Sequence, residues 1–160
     1  MRLWRIEKSS FARGVRSGNG ARIEGGRWNS PGRPAIDCAG SLSLAMLNVL
    51  AHLSTQEDAG EKRVFFTVDI DDKWMEEIAT TDLPRNWRSA LNVGPCRRQG
   101  DAWLGRGQSV AWRVPSALVA GEFNCILNPA HPHYRKAALW SAGKPLRLDS
   151  RLFLDLGKTE

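Results

Sequence analysis

The sequence predicts an α+β fold, in which residues 1–160 form one β-rich domain with a central mixed sheet and one main buried helix. Three observations lead to this prediction. Five or six short segments have the composition of strands, and several of them alternate apolar and polar residues. One longer segment, residues 41–53, is dominated by Leu, Ala and Met, which favour helix. The 160 residues suffice for a single core, and no linker divides them.

The first elements are two short strands separated by a long loop. Residues 2–6 are predicted to form a strand, and residues 35–39 can form another. Between them, residues 17–34 are rich in Gly, Ser, Pro and Asn, which are typical of turns. We therefore expect a loop there that carries several basic side chains.

The predicted main helix, residues 41–53, has a recognisable start. Ser41 or Ser43 can cap its first turn, because a serine hydroxyl accepts a hydrogen bond from a free backbone N–H. The polar residues 54–62, which include Gly60, are predicted to be a loop.

The second half of the chain contains most of the predicted strands. Residues 63–70 alternate well enough to place their apolar side chains on one face. The remaining expectations are a short helix at 72–79, an irregular segment at 85–107, and strands at 108–114, 122–128 and within 145–156.

Composition excludes several classes of protein. No apolar run reaches the roughly 18 residues that a transmembrane helix needs, and the N-terminus has no apolar signal core. Three cysteines without a CxxC spacing disfavour a disulfide framework and a zinc site. We therefore expect no membrane span, no metal and a cytoplasmic location.

The charge balance first suggests a nucleic-acid partner. The chain has 23 Lys+Arg against 17 Asp+Glu, a formal net charge of +6. No basic tract and no interleaving of basic with aromatic residues occurs, however, so direct binding of nucleic acid is disfavoured. Arginine is the more frequent base and suits bidentate recognition of a discrete anionic ligand.

The segment Gly25-Gly26-Arg27-Trp28-Asn29 is a candidate binding loop. Paired glycines allow a ligand to approach the backbone closely, and an adjacent guanidinium can bind a phosphate. An indole can stack on a planar ring. The same residues also suit a turn with a core tryptophan and a surface arginine, and composition alone leaves both interpretations open.

Asn48 and His52 form a polar pair on the predicted main helix. They are four residues apart, so they share one face of an otherwise apolar helix. Such a pair can line a pocket or lie at the edge of the buried face.

The order of several motifs resembles the RES domain, the toxin half of RES–Xre toxin–antitoxin pairs. Each motif alone is weak, but their order and spacing cover residues 2 to about 155. They are Leu3-Trp4-Arg5, the loop 25–29, the helix 43–53, Gly100-Asp101-Ala102-Trp103, Val114-Pro115-Ser116-Ala117, Glu122-Phe123-Asn124 and Asn128-Pro129-Ala130-His131-Pro132.

The resemblance implies a fold similar to ADP-ribosyltransferases and an activity on NAD. RES domains degrade NAD by hydrolysis or phosphorolysis, or transfer ADP-ribose to a target protein, and thereby arrest growth. The implied partner is an Xre-like helix-turn-helix antitoxin, which would bind the DNA itself and form a hetero-oligomer with the toxin.

The resemblance also implies a set of site residues. An arginine near the N-terminus and the arginine of the loop correspond to Arg5 and Arg27, which would hold NAD, while Trp28 and Asn29 would shape the loop. A tyrosine on the next strand corresponds to Asp37, and a catalytic glutamate in the helix corresponds to Asn48. A hydroxyl-bearing residue near Gly100 also belongs to the pattern, with Cys96, Ser109 or Ser116 as its candidates.

Two of these positions depart from the family. Cleavage of the nicotinamide–ribose bond builds an oxocarbenium-like cation, which a nearby carboxylate stabilises. Asn48 carries no charge, and loss of one such electrostatic group costs on the order of 10²–10³ in rate. Asp37 brings a carboxylate that could substitute or could repel the pyrophosphate. The alternative function is therefore a catalytically inactive RES-like protein that only binds its antitoxin.

Overall fold

The computed structural model of the chain describes residues 1–53 and 60–153, and within them eight strands form one mixed sheet. The strands are β1 Arg2–Lys8, β2 Ile36–Ala39, β3 Arg63–Asp69, β4 Met75–Glu77, β5 Ala111–Pro115, β6 Phe123–Leu127, β7 Leu139–Trp140 and β8 Lys144–Leu146. The α-helices in the same part of the chain are α1 Asn19–Glu24, α2 Leu42–Leu50, α3 Gly94–Arg106 and α4 Tyr134–Ala137.

The sheet consists of two halves that meet at β1 and β2. Its order is β4-β5-β6-β2-β1-β3-β7, and β8 also pairs with β3. Only the β4–β5 pair is parallel among the described strands, and the others are antiparallel. The predicted α+β class with a mixed sheet is confirmed.

The β1–β3 pair forms the long ladder of one half. It runs from Arg2 opposite Asp69 to Lys8 opposite Arg63. Phe66 and Val68 on β3 are buried, as the alternation of residues 63–70 predicts. The strands predicted at 2–6, 35–39, 63–70, 108–114 and 122–128 are confirmed, with small shifts of their ends.

Helix α2 is the predicted main helix and packs across β1 and β2. Ser41, not Ser43, caps it: the Ser41 hydroxyl oxygen accepts a hydrogen bond from the Leu44 N–H at 3.1 Å. Leu44 and Ala45 are buried in a cluster that also includes Ala39 of β2. The apolar face of the helix therefore covers the place where the two half-sheets meet.

The short helix predicted at 72–79 is wrong. A single 3-10 turn, Asp72–Trp74, is followed by strand β4. The Asp71 carboxylate accepts a hydrogen bond from the Lys73 N–H at 3.3 Å and so supports the turn. Pairing with β5 then extends Met75–Glu77, because ladder bonds to a neighbouring strand outweigh local helix propensity.

The irregular segment predicted at 85–107 is also wrong, because it contains α3, the longest α-helix in the described ranges. Pro95 lies in the first turn, where its missing N–H costs nothing. Gly100 lies so close to the loop at Trp28 that a Cβ atom there would be 1.8 Å from the Trp28 carbonyl oxygen. Gly107 ends the helix with φ of 58°. The glycines thus serve helix packing and capping.

Three smaller elements differ from the expectations. The predicted loop 17–34 contains the six-residue helix α1, and α4 and β7 have no counterpart among the predicted elements. Part of the loop predicted at 54–62 and the end of the tail predicted at 145–156 lie outside the described residues. Strand β8 begins one residue before that tail segment.

Two further features bear on the expected class of protein. Across residues 1–53 and 60–153, no helix is long and apolar enough to cross a membrane. Cys38, Cys96 and Cys125 are buried free thiols.

Candidate functional site

The two half-sheets are joined at a single register position. β1 and β2 pair only where Trp4 lies opposite Ala39, whereas β1 pairs with β3 along seven positions. Beyond Trp4, the Arg5 side chain takes the place of the backbone ladder: its Nη1 donates a hydrogen bond to the Asp37 carbonyl oxygen at 3.0 Å. The strands therefore separate at Arg5 and Asp37, two residues predicted for the site.

Two nitrogen atoms of the Arg5 guanidinium have hydrogen-bond partners, and the third has none among the described residues. Its Nη2 donates to the Glu7 carboxylate at 2.8 Å. Its Nε is buried and has no hydrogen-bond partner in the described chain. A buried donor without a partner costs free energy, and an anionic or hydroxyl-bearing ligand can satisfy it.

Both arginines predicted for the site act electrostatically on Asp37. Although its side chain is exposed, the surrounding protein excludes enough water to raise the pKa of its carboxyl from 3.8 to about 6. The positive charges of Arg5, His52 and Arg27 act in the opposite direction on this pKa. The fold therefore brings together residues from β1, β2, the end of α2 and the glycine loop.

Arg27 binds a neighbouring loop with most of its donors. Its Nη1 donates to the carbonyl oxygens of Trp87 and Ser89, the latter at 3.0 Å, and its Nη2 donates to that of Arg88 at 3.4 Å. The guanidinium is half-buried and still acts on the charge of Asp37. Arg27 therefore connects the loop 87–89 to the site.

Trp28 and Asn29 are both buried. Trp28 is 3% exposed and packs edge-on against Trp112, with ring centroids 5.3 Å apart. The Asn29 side-chain amide donates to the carbonyl oxygens of Ala21 at 2.8 Å and Arg33 at 3.0 Å. In this arrangement their contribution is to shape the loop that presents Arg27.

Asn48 faces β6 from helix α2. Its Nδ2 donates a hydrogen bond to Oδ1 of Asn124 at 3.2 Å, and Asn124 is 8% exposed. One turn further on, His52 Nδ1 lies 2.7 Å from the Asn48 carbonyl oxygen, which fixes the ring at the end of the helix. We call Arg5, Arg27, Asp37, Asn48 and Asn124 the junction site.

Sequence reasoning missed Asn124 as a site residue. Its signal was present, because Asn124 is the polar residue of the strand Phe123–Leu127, whose other members are apolar. A buried amide in such a strand needs a partner and therefore marks a place where polar groups meet.

The three candidates for the hydroxyl-bearing residue are all buried. Cys96 donates weakly from its Sγ to the Trp87 carbonyl oxygen at 3.6 Å, and burial raises the pKa of its thiol. The Ser109 hydroxyl oxygen accepts from the Trp103 indole N–H at 2.9 Å. The Ser116 hydroxyl oxygen accepts from the backbone N–H of Val119 at 3.1 Å. These contacts give each of the three a structural role.

A surface depression lies elsewhere on the protein. It measures about 650 Å³ and is lined by Met1, Asp69 and Trp74 among others. Its walls carry charges of both signs and include none of the junction-site residues. The depression therefore does not coincide with the junction site.

The junction site can bind an anion and support a developing cation. Arg5 and Arg27 supply positive charge with planar donors, and both charges act on the Asp37 carboxylate. Within the described ranges, no group of His, Cys, Asp and Glu side chains could hold a metal ion.

Comparison with known proteins relates almost the whole chain to one family. A family model described as RES domain matches residues 2–149. A protein named Toxin Res from Photorhabdus laumondii is 33% identical over 152 residues, which cover 95% of this chain and 97% of that protein.

Two further relatives have related names. A Toxin Res from Yersinia enterocolitica is 36% identical over 135 residues, which cover 84% of this chain and 88% of that protein. A Prs ADP-ribosylating toxin from a Sphingobium species is 31% identical over 135 residues, which cover 81% of this chain and 83% of that protein.

Proposed function

The chain belongs to the RES domain family, and on this premise we propose that it is a toxin that acts on NAD at the junction site. The names of its relatives support the toxin role, and one of them is an ADP-ribosylating toxin. The reaction is cleavage of the bond between nicotinamide and ribose. ADP-ribose then passes to water, to phosphate or to a side chain of a target protein.

One observation carries the proposal more than any other. The unpartnered, buried Nε of Arg5 lies where β1 and β2 separate, beside a carboxylate that also experiences the charge of Arg27. A dinucleotide supplies oxygen atoms that can accept a hydrogen bond from this Nε, and its negatively charged pyrophosphate is complementary to two arginines. These residues therefore fit NAD as a substrate.

The chemistry requires stabilisation of positive charge on the ribose. When the glycosidic bond breaks, its electron pair leaves with nicotinamide, which becomes neutral, so no acid is needed for the leaving group. The ribose becomes oxocarbenium-like, and a carboxylate beside it lowers the barrier. We assign this role to Asp37, ionised above about pH 6, with the Asn48 amide as a weaker dipole nearby.

The second candidate function is binding without catalysis. It is favoured by the amide at position 48, where the family pattern has a carboxylate. Such a protein would retain the fold and the surface that meets an antitoxin but would turn over NAD slowly or not at all.

We also propose a cytoplasmic setting and an Xre-like helix-turn-helix antitoxin as partner. NAD is abundant in that compartment, and a toxin that consumes it has to be restrained in its own cell. In this assembly the antitoxin binds DNA. Part of the net charge of +6 can then meet an acidic surface of the antitoxin.

The test is incubation of the purified chain with NAD, with and without phosphate, followed by identification of the products. ADP-ribose indicates water as acceptor, and ADP-ribose 1″-phosphate indicates phosphate. With NAD labelled in its ADP-ribose part, label retained on protein in a cell extract indicates transfer to a side chain. Intact NAD under all conditions would favour the binding-only function.

A further inference from the structure

Asn124 carries an amide group that its strand does not require. Its neighbours on β6, Cys125, Ile126 and Leu127, are apolar and buried. Burial of an amide is unfavourable unless its polar atoms find partners. Its oxygen accepts from Asn48, but its nitrogen makes no hydrogen bond to any described residue. Asn124 therefore retains an unused donor pair.

This donor lies on the same face of the sheet as Asp37. Asn124 is directly opposite Ala39 on β2, and Asp37 is two residues from Ala39. Because side chains two residues apart on a strand point to the same face, Asn124 and Asp37 project together. Helix α2 covers this face and contributes Asn48.

The Asn48–Asn124 pair leaves one acceptor and one donor on two side chains in contact. Asn48 uses its Nδ2 as donor and keeps Oδ1 available, whereas Asn124 uses Oδ1 as acceptor and keeps Nδ2 available. A primary carboxamide needs these two partners, a donor for its oxygen and an acceptor for its nitrogen. The free edge of the pair is therefore complementary to a carboxamide.

We propose that Asn124 and Asn48 recognise the carboxamide of the nicotinamide ring and so determine specificity for NAD. Asn124 Nδ2 donates to the carboxamide oxygen, and Asn48 Oδ1 accepts from the carboxamide nitrogen. This inference rests on the proposed function, because it requires NAD to bind at the junction site.

The proposal predicts discrimination against the deamidated dinucleotide, nicotinic acid adenine dinucleotide. Its carboxylate offers only acceptors and a negative charge, so it can use the Asn124 donor but faces the Asn48 oxygen unfavourably. A site with polar groups that match one ligand leaves them poorly paired with the other.

The experiment is calorimetric titration of the folded chain with each dinucleotide. We expect NAD to bind about tenfold or more tightly than its deamidated analogue. Asn124→Asp keeps the oxygen that accepts from Asn48 but replaces the donor with an acceptor. It should weaken NAD binding by about 10- to 100-fold. Its negative charge also repels the carboxylate of the deamidated analogue, so binding of that analogue should weaken further and the preference for NAD should increase.

The matched control is Asn128→Ala. Asn128 is also buried, follows the same strand, and accepts from the Ala130 N–H at 3.1 Å. This variant should lower the melting temperature but keep the ratio of the two affinities. An effect through stability alone would instead appear in both variants.

Each outcome decides the proposal. Equal binding of the two dinucleotides by the wild-type chain would overturn it, even if Asn124→Asp fails to fold. A folded Asn124→Asp variant with the wild-type ratio would also overturn it, while NAD binding itself would leave the proposed function standing. If the folded wild-type chain binds neither dinucleotide, the proposed function fails together with this inference.

Discussion

Arg5 on β1 donates a hydrogen bond from its guanidinium to the carbonyl oxygen of Asp37 on β2, at 3.0 Å. At this point a side chain, and not the backbone of β1, satisfies the strand edge of β2. The separation of the strands exposes polar groups in the middle of a sheet whose faces are otherwise covered by apolar clusters. The opening between the half-sheets is thus what makes a polar site possible here.

The cap of helix α2 is expected to depend on Ser41. This hydroxyl accepts from the Leu44 N–H and donates to the carboxylate of Glu122, the residue before β6, at 3.0 Å, so it fixes both the helix start and its position on the sheet. Ser41→Ala should lower the free energy of unfolding by about 1–2 kcal/mol, measured by urea denaturation. The exposed Ser43 is the control, and an equal loss in Ser43→Ala would contradict the assignment of the cap.

The contact between α3 and the glycine loop is expected to tolerate no side chain at position 100. A Cβ atom at Gly100 would overlap the Trp28 carbonyl oxygen, so Gly100→Ala should cost more than about 3 kcal/mol or prevent folding. Gly105 lies on the same helix, and a Cβ atom there would approach only Arg33 Nη1, at 3.6 Å. Gly105→Ala should stabilise by about 0.5–1 kcal/mol. Similar melting temperatures for the two variants would show that this packing is wrong.

Arg27 is expected to matter for both the loop and the ligand. Arg27→Ala removes the partner of three backbone carbonyl groups and one of the two arginines whose charge acts on Asp37. We expect a loss of about 1–3 kcal/mol in stability and at least about a tenfold loss in NAD affinity, measured by denaturation and calorimetry.

Arg88→Ala is the control for Arg27→Ala. It changes the same loop, where Arg88 lies over the Trp87 ring at 5.1 Å, and should leave NAD affinity intact. Unchanged NAD affinity in a folded Arg27→Ala variant would refute the assignment of Arg27 to the site.

Asp37 is expected to make stability depend on pH. Its folded-state pKa of about 6 exceeds its ordinary value of 3.8, so the folded state binds the proton more tightly. Stability therefore falls as pH rises through this window and is lowest above it. Asp37→Asn should be more stable than wild type near neutral pH, by no more than about 1 kcal/mol because the side chain is exposed. The gain should vanish below about pH 4.

Asp69→Asn is expected to change stability at neutral pH in the opposite direction to Asp37→Asn. The hydrogen bond from Arg2 lowers the pKa of Asp69, so its carboxylate stabilises the fold at neutral pH and loses this effect on acidification. Urea titrations of both variants at acidic and neutral pH compare the two. A destabilised Asp37→Asn at neutral pH would mean that the carboxylate is favourably paired in the fold.

Local sequence patterns were sufficient for most of the sheet. Alternation along residues 63–70 predicts β3 because its buried face is set by a repeat of two. The same reasoning failed for α3, since its glycines look like loop formers. Their actual use, close approach of Gly100 to Trp28, depends on a contact about 70 residues distant in sequence. The prediction for the segment of β4 was wrong for a similar reason, because its extended conformation depends on pairing with β5, which is distant in sequence.

The candidate site was predictable in part. The order of family motifs predicted four of its residues, Arg5, Arg27, Asp37 and Asn48. In the fold, the charges of both arginines act on Asp37, and Asn48 contacts β6 from helix α2. The burial of Trp28 and the use of Arg27 donors by the loop 87–89 depend on tertiary packing. Asn124 was missed because its partner is on a helix 76 residues away in sequence.

The central claim is that this chain cleaves NAD at the junction site and that the amide at position 48 limits its rate. The most direct measurement is nicotinamide release from NAD by the wild-type chain and by Asn48→Glu, both shown to be folded. Glutamate restores a carboxylate beside the developing cation, so we predict a rate increase on the order of 10–10³-fold over a measurable wild-type rate. No nicotinamide release by either protein, or equal rates for both, would contradict the claim.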